Sequence, residues 1–279
     1  MSLRAVTLAI VCALGPMLAA LPAAAEEPAG GRPLWEAGVA GGVGLVPDYP
    51  GSDHRRLRGI VLPYLVYRGP VLRVDETGVH GRVFESPDWS FELTGTAAFD
   101  ARSDGPREGM PALDYLFGVG PQLVWRGLQR GGHGPSVHLK LRALMSTDGR
   151  HIDRRGFSVD PELRWRLPSF AGTPATLTLS LQPTWASREL QAYFYEVDPS
   201  LATATRPAYR ARAGYLGTDL SATLTHSPAP GLSWFVSAYL ASMHGAANTA
   251  SPLLRERSNL TLGTGLIWTP WRSERRVAD

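Results

Sequence analysis

Apolar and polar residues alternate with a period of two along most of this chain, and several alternating stretches run for ten or more residues. An average strand in a soluble protein covers five or six residues, and a period of two marks a strand with two unlike faces. From Trp89 to Phe99 the odd positions are apolar or small, while Ser90, Glu92, Thr94 and Thr96 fall on the other face. The pattern returns with Tyr115, Phe117, Val119, Leu123 and Trp125, then with Val137, Leu139, Leu141, Ala143 and Met145. It recurs in Phe157, Val159, Leu163, Trp165 and Leu167, from Leu177 to Trp185, and in Leu260, Leu262, Leu266 and Trp268.

Segments near 34–46, 57–67, 70–84, 88–100, 113–126, 135–147, 156–167, 174–186, 214–226, 231–243 and 258–268 read as strands, eleven in all. A bacterial membrane barrel with both ends on one side needs an even number. Dividing 70–84 at Asp75-Glu76-Thr77-Gly78 into a short hairpin makes twelve. Pro121, Pro161 and Pro183 each remove a ladder donor, a local cost that a bulge could absorb. Short connections near 85–87, 168–173 and 228–231 alternate with longer polar ones near 101–112, 148–155, 187–213 and 244–257. That alternation is the one between periplasmic turns and outer loops, and it puts 47–56 among the outer loops. Threaded up and down, Trp35, Trp89, Trp125, Trp165, Trp234 and Trp268 fall on the short-turn side and Trp185 opposite, as interfacial girdles would place them.

The expectation is an all-β fold, a transmembrane antiparallel up-and-down β-barrel of about twelve strands. Residues 1–25 read as a secretory signal: a positive start, an apolar run broken by Gly15 and Pro16, and Ala23-Ala24-Ala25 before cleavage after Ala25. Residues 26–279 are then the barrel, surrounded by outer-membrane lipid. Cys12, the single cysteine, lies in the signal, so the exported part uses no disulfide. The formal charge of +3 is scattered rather than gathered into a stripe, which speaks against a nucleic-acid partner.

Three sets of residues invite a chemical reading. Pro47-Asp48-Tyr49-Pro50-Gly51-Ser52-Asp53 has the makings of a rigid turn, with two fixed φ angles, a glycine and side chains that bond to nearby backbone. Its alternative is an exposed contact loop in which His54, Arg55, Arg56 and Arg58 meet lipid phosphate or an acidic partner. A catalytic Ser52-Asp53-His54 set is disfavoured, because sequence neighbours do not generally converge as nucleophile, base and orienter. No hydrolase, zinc or Walker signature is present, so neither an enzyme nor a cofactor is expected. Lys140, Arg142, Asp160, Glu162, Arg164 and Arg166 share the polar face of neighbouring strands. They read either as an opposite-charge ladder that fills a lumen or as a charged constriction that selects solutes.

Several stretches together carry a resemblance. PDYPGSD follows a glycine-rich first strand and precedes LPYLVYRG; YFYEVDP stands at 193–199, RPAYRARAGY at 206–215, and Ser251-Pro252-Leu253 before the last strand. Their order and spacing resemble the MltA-interacting protein (MipA/OmpV) family over nearly the whole exported chain. The resemblance implies an outer-membrane barrel and, for some members, a scaffold joining a lytic transglycosylase to a peptidoglycan synthase. Other members are linked to adhesion, permeability or antimicrobial response. Where members commonly have G-D-A-x-x-S-P, this chain has Gly245-Ala246-Ala247-Asn248-Thr249-Ala250-Ser251-Pro252 and lacks the acid. Thr261-Leu262-Gly263-Thr264-Gly265-Leu266-Ile267-Trp268 resembles the last-strand signal of outer-membrane assembly, with eleven residues beyond it, from Thr269 to Asp279.

Overall fold

The period-two pattern becomes a wall with the usual polarity of a soluble protein reversed. Leu93, Leu139, Leu141, Leu163, Leu181, Val236 and Leu262 lie on the outside, exposed, while Ser90, Thr94, Gln122, His138, Lys140, Glu162, Thr178, Thr223 and Ser237 are buried inside. Apolar side chains toward the surroundings and polar ones toward the axis are what a lipid-embedded barrel requires. The computed structural model describes residues 32–277 apart from 69–71, 76–77, 82–83, 87 and 130–133; the segment read as a signal lies outside the described residues.

In chain order the strands are β1 (Arg32–Pro33), β2 (Trp35–Pro47), β3 (Arg55–Arg68), β4 (Leu72–Asp75), β5 (Gly78–Gly81), β6 (Phe84–Glu85), β7 (Trp89–Ala98) and β8 (Tyr115–Trp125). They continue with β9 (Gly134–Thr147), β10 (Ile152–Leu167), β11 (Thr176–Ala186), β12 (Gly214–Ala229), β13 (Leu232–Ser242), β14 (Ser258–Arg272) and β15 (Arg276–Val277). Among the described residues ten strands reach ten residues or more. One curled antiparallel sheet runs β5-β4-β3-β2-β14-β13-β12-β11-β10-β9-β8-β7-β6, with the last long strand paired to the first. The short hairpin turns between Asp75 and Gly78, where the sequence divides 70–84, and β5 at one end of the sheet lies against β7 at the other. The barrel wall is therefore ten long strands closed by a short hairpin.

The three prolines cause ladder gaps rather than bulges. Val159 pairs with Trp185 and Leu163 with Leu181, and between them Pro161 and Pro183 fall opposite each other in the register. Two missing donors are thus spent on one interruption, and each proline pairs normally on its other side, Pro161 with Leu139 and Pro183 with Thr218. Pro121 likewise pairs with Leu93 while the β8–β9 ladder skips from Val119 to Gln122.

Two boundaries differ from expectation. The connection expected at 148–155 is only four residues, 148–151, because β10 starts at Ile152 and absorbs the polar run Asp153-Arg154-Arg155 into the strand with a register shift between Arg154 and Gly156. The tail beyond Trp268 is not loose: β14 continues to Arg272, with a register shift before Trp271 pairs with Ala37, and β15 pairs with β1. Segment 187–213 also holds a helix, α1 (Arg188–Tyr195), opened by Ser187, whose hydroxyl accepts the Leu190 N–H. The tryptophans sit at strand ends; Trp89 faces Trp125 across the ladder with ring centroids 6.1 Å apart, and Trp185 packs on Tyr215 at the long-loop end.

Apolar packing lies inside the wall in two places. A small cluster of Tyr64, Val66, Phe235 and Ile267 lies on the inner side of the wall. The larger one, with Tyr49, Met110, Leu113, Leu190, Phe194, Tyr195, Val197, Met243, Leu253 and Leu254 at its centre, is made mainly by the long loops closing over the barrel end.

Candidate functional site

Two neighbouring assemblies concentrate the chemistry: a charged ladder inside the wall and the cap of loops above it. The period of two directs Lys140 and Arg142 of β9, and Asp160, Glu162 and Arg164 of β10, toward the axis. Lys140 Nζ contacts the Glu162 carboxylate and donates to Gln182 Oε1 at 2.8 Å. Arg164 approaches the same carboxylate through Nε at 2.9 Å and Nη2 at 3.1 Å. Arg142 Nη1 donates to Asp160 Oδ2 at 3.0 Å, and Ser158 Oγ donates to that oxygen at 2.8 Å. One strand-pair away, Glu92 accepts from Ser90 (2.7 Å), Gln122 (3.2 Å) and Arg126 (3.4 Å). Arg166, the last of the sequence-singled residues, is half-buried near the short-turn end of β10. Glu92, Asp160 and Glu162 thus each meet at least one cation across or along the ladder, the condition under which buried charge is tolerable.

The cap is organised by PDYPGSD. It forms a turn, with Asp48 N–H donating to the His54 carbonyl (3.1 Å) and Ser52 N–H to the Tyr49 carbonyl (3.0 Å). Within the turn Tyr49 and Ser52 are 5% and 1% exposed, because residues 251–259 lie over them, while Asp53, His54 and Arg55 are exposed. Gly51 N–H donates to Asn259 Oδ1 at 2.7 Å, and the Gly51 carbonyl accepts the N–H groups of Arg255 (2.8 Å) and Glu256 (2.9 Å). Gly51 needs its φ of +82°, and a Cβ there would lie 2.9 Å from Leu254 Cγ. Tyr49 Oη donates to the Leu253 carbonyl and Tyr195 Oη to the Pro50 carbonyl, both at 2.9 Å. Burial pushes the Tyr49 phenol up to about 12 and raises that of Tyr195 further.

Ser52 Oγ bonds the His54 backbone, accepting its N–H at 3.1 Å. The basic residues after the turn go into ion pairs: Arg55 with Glu256 (2.9 Å), Arg56 with Asp48 (2.8 Å) and Asp104 (2.5 Å), Arg58 with Asp100 (3.1 Å). Asp53 lies 3.5 Å from Arg255. Asp48, His54 and Asp104 bring possible ligand atoms within 4.8 Å of one another, but the Arg56 guanidinium already bridges both carboxylates as the cluster's cation. That bridge lowers the pKa of the Asp104 carboxyl.

The buried roles of several cap residues are invisible to motif reasoning, even where, as for Arg206 and Asn248, the residue lies in a quoted stretch. Buried Arg107 donates to the carbonyls of Phe194 and Pro111, both at 3.2 Å, and stands 5.8 Å from the Tyr49 ring centroid. Buried Arg206 gathers the carbonyls of Pro106, Glu108 and Leu201. Asn248 is fully buried; it donates to Gln191 Oε1 (2.9 Å) and the Arg212 carbonyl (2.8 Å) and accepts from Tyr209 and Arg212. The segment that lacks the family's acid therefore supplies an amide whose donors are both used, a part no carboxylate could play. Ser187 before an i, i+4 pair of Leu190 and Phe194 was the one local signal of this region, a capped amphipathic turn.

The stretches that make this cap, PDYPGSD, YFYEVDP, RPAYRARAGY and Ser251-Pro252-Leu253, are among those that carry the resemblance noted above. The family model described as "MltA-interacting protein MipA" matches residues 39–270, most of the chain. The protein belongs to the MipA family. A search of curated protein sequences finds no match. Among solved structures, one similar in shape is described as the NanC porin, with a TM-score of 0.41 and 10% identity over 84% of this chain and 99% of that one. Another is BamA from Haemophilus ducreyi lacking POTRA domains 1–3, with a TM-score of 0.27 and 12% identity over 86% of this chain and 65% of that one. These four MipA-family motifs, scattered over some two hundred residues of sequence, meet in one packed layer at the long-loop end, while LPYLVYR lies in β3.

Proposed function

We propose that the protein is a non-enzymatic outer-membrane barrel that acts as a docking scaffold for murein-processing enzymes, a hydrolase and a synthase. The observation that carries this reading is membership of a family described as MltA-interacting, joined to a barrel with a lipid-type exterior. The cap supports it as well, since loops packed into a core at one mouth fit a rigid anchor better than a wide aqueous pore. With the long loops outside the cell, the docking surfaces are at the opposite end: the short connections at 86–88, 168–175 and 230–231 and the β1–β15 pair. Affinity capture of detergent-extracted, heat-modifiable protein should recover a murein hydrolase or synthase, and repeated failure with intact barrels would sink the proposal.

A second reading keeps the barrel and changes its work, to a selective channel for small charged solutes. The ladder of Lys140, Arg142, Asp160, Glu162 and Arg164 favours it, because fixed charge along an axis is how pores discriminate. Planar-bilayer recordings separate the two: steady conductance altered by Glu162→Gln supports the channel, and a silent bilayer removes it.

A further inference from the structure

Among the described residues the wall has a long stretch, along β3, where neighbouring strands do not ladder. β3 pairs with β2 along its length, but on its other side the described ladder contacts are only Tyr67 with Val74 and Arg68 with Arg73. Between Arg55 and Pro63 that edge has no strand partner among the described residues, because β4 and β5 are four residues each and turn back below it. The side chains register the gap: Leu57 and Val61 point outward 75% and 74% exposed, against 43% for Leu45 opposite Leu57 on the paired side. These residues still lie in the apolar band, since Leu45 is in turn opposite Leu262.

Among the described residues, side chains span the gap. Arg58 reaches from β3 to the chain leaving β7, donating to the Asp100 carbonyl (2.6 Å) and to Asp100 Oδ1 (3.1 Å), with its guanidinium 5.4 Å from the Phe99 ring centroid. Arg56 reaches Asp104 above it. Behind this latch, under the cap, lies a cavity of about 210 Å³ walled mainly by apolar side chains, among them Val46, Phe99, Leu113, Leu116, Phe194 and Met243. Phe99 and Asp48 belong to its lining and both contact Arg58, so the cavity abuts the seam.

We propose that this cavity is a binding site for a single long acyl chain, which enters sideways from the membrane between β3 and β7, with Arg58 as the bolt of the opening. The lining supplies the chemistry: its surface is mostly carbon, and its polar residues sit among the apolar ones, Asp48 paired with Arg56 and Asp219 hydrogen-bonded by Tyr239, with Asp114, Thr184, Asn259 and Thr261 besides. Water gains little in such a space, whereas an alkyl segment leaves its surroundings for an equally apolar contact without crossing the polar cap. Unpaired backbone groups are costly in a hydrocarbon medium, so this edge is the weakest part of the wall, and the side-chain pairs that cross it can be broken and remade.

The test uses the whole barrel in phospholipid vesicles and two photoactivatable probes with a diazirine near the chain terminus, one a phospholipid and one a free fatty acid. Labelling of peptides carrying Phe99, Leu116 or Phe194 in either arm supports the proposal, and the arm that labels identifies the source. Labelling confined to outward residues such as Leu57 and Val61 in both arms overturns it. The only cysteine of the sequence is Cys12, so Arg58→Cys with Asp100→Cys can be bridged by a reducible thiol crosslinker. Bridging should lower cavity labelling several-fold, and reduction should restore it; equal labelling with the bridge in place overturns the seam as the route. Leu116→Trp, which fills the cavity from its wall, should abolish labelling at Phe194 while Val61 stays labelled, and unchanged labelling at Phe194 would count against the cavity.

Discussion

The Tyr195 hydroxyl donates to the Pro50 carbonyl at 2.9 Å, joining the end of α1 to the turn between the first two long strands. Tyr195 is fully buried, so nothing replaces this donor once it is removed. Tyr195→Phe should cost about 1–3 kcal/mol, the penalty for a buried acceptor left unmade. The loss should fall on the cap first, read as faster proteolysis within 187–213 while the strands keep their heat-modifiable migration.

Gly51→Ala meets two obstacles at once, a left-handed backbone and Leu254 in the way. A loss of more than about 1 kcal/mol is expected from the conformational term alone. The neighbouring Ser52→Ala removes only local hydroxyl bonds to His54 and should cost less. Urea midpoints of the two purified variants, compared with the parent, check the order.

The ladder is asymmetric, because Glu162 serves two cations and Lys140 leans on one carboxylate. Glu162→Leu strands Lys140 and Arg164 together and should cost about 3–5 kcal/mol. Lys140→Met leaves Glu162 bonded to Arg164 and should cost clearly less. Equal losses in denaturant titrations of the folded barrel would contradict this division.

Alkali should loosen the cap before the wall. The Tyr49 phenol is raised by burial from 10.0 to about 12, so the folded form resists its ionisation. A raised acid leaves stability intact below its unfolded pKa and withdraws it as pH climbs from there toward the folded value. Between about pH 10 and 12 the cap should therefore lose up to about 3 kcal/mol through Tyr49, less whatever the loops recover by local opening. Tyrosinate absorbance and cap proteolysis should rise together, while a Tyr49→Phe variant should keep its cap into higher pH.

The wall was legible in the sequence and the cap was not. Period-two stretches such as 89–99 and 135–147 became strands with their apolar residues outside, because in a lipid-facing strand each side chain answers to one neighbouring medium and the pattern is local. The hairpin at Asp75–Gly78 was found for the same reason, from turn residues inside an alternating run. What failed was the polar strand segment Asp153-Arg154-Arg155, where charge reads as loop although β10 projects past the lipid and carries it in solvent. The cap escaped because its bonds run between residues far apart: Arg206 to Pro106, Asn248 to Gln191, Arg107 to Phe194. No window of sequence holds both ends of such a contact, and buried arginine and asparagine look in isolation like any exposed polar residue. For PDYPGSD the turn was readable from its prolines and glycine, while its burial depended on residues two hundred positions away.

Those distances have a temporal meaning. Gly51 is held by Arg255, Glu256 and Asn259, which flank or begin the strand that must join β2 before the wall is complete. The bonds cannot form while the two ends of the chain are still apart, and contacts of such long sequence separation are the slow ones. Protease resistance at Tyr49–Asp53 would therefore work as a clock hand for biogenesis: absent from every incomplete insertion intermediate, and acquired only by molecules whose first and last long strands have met.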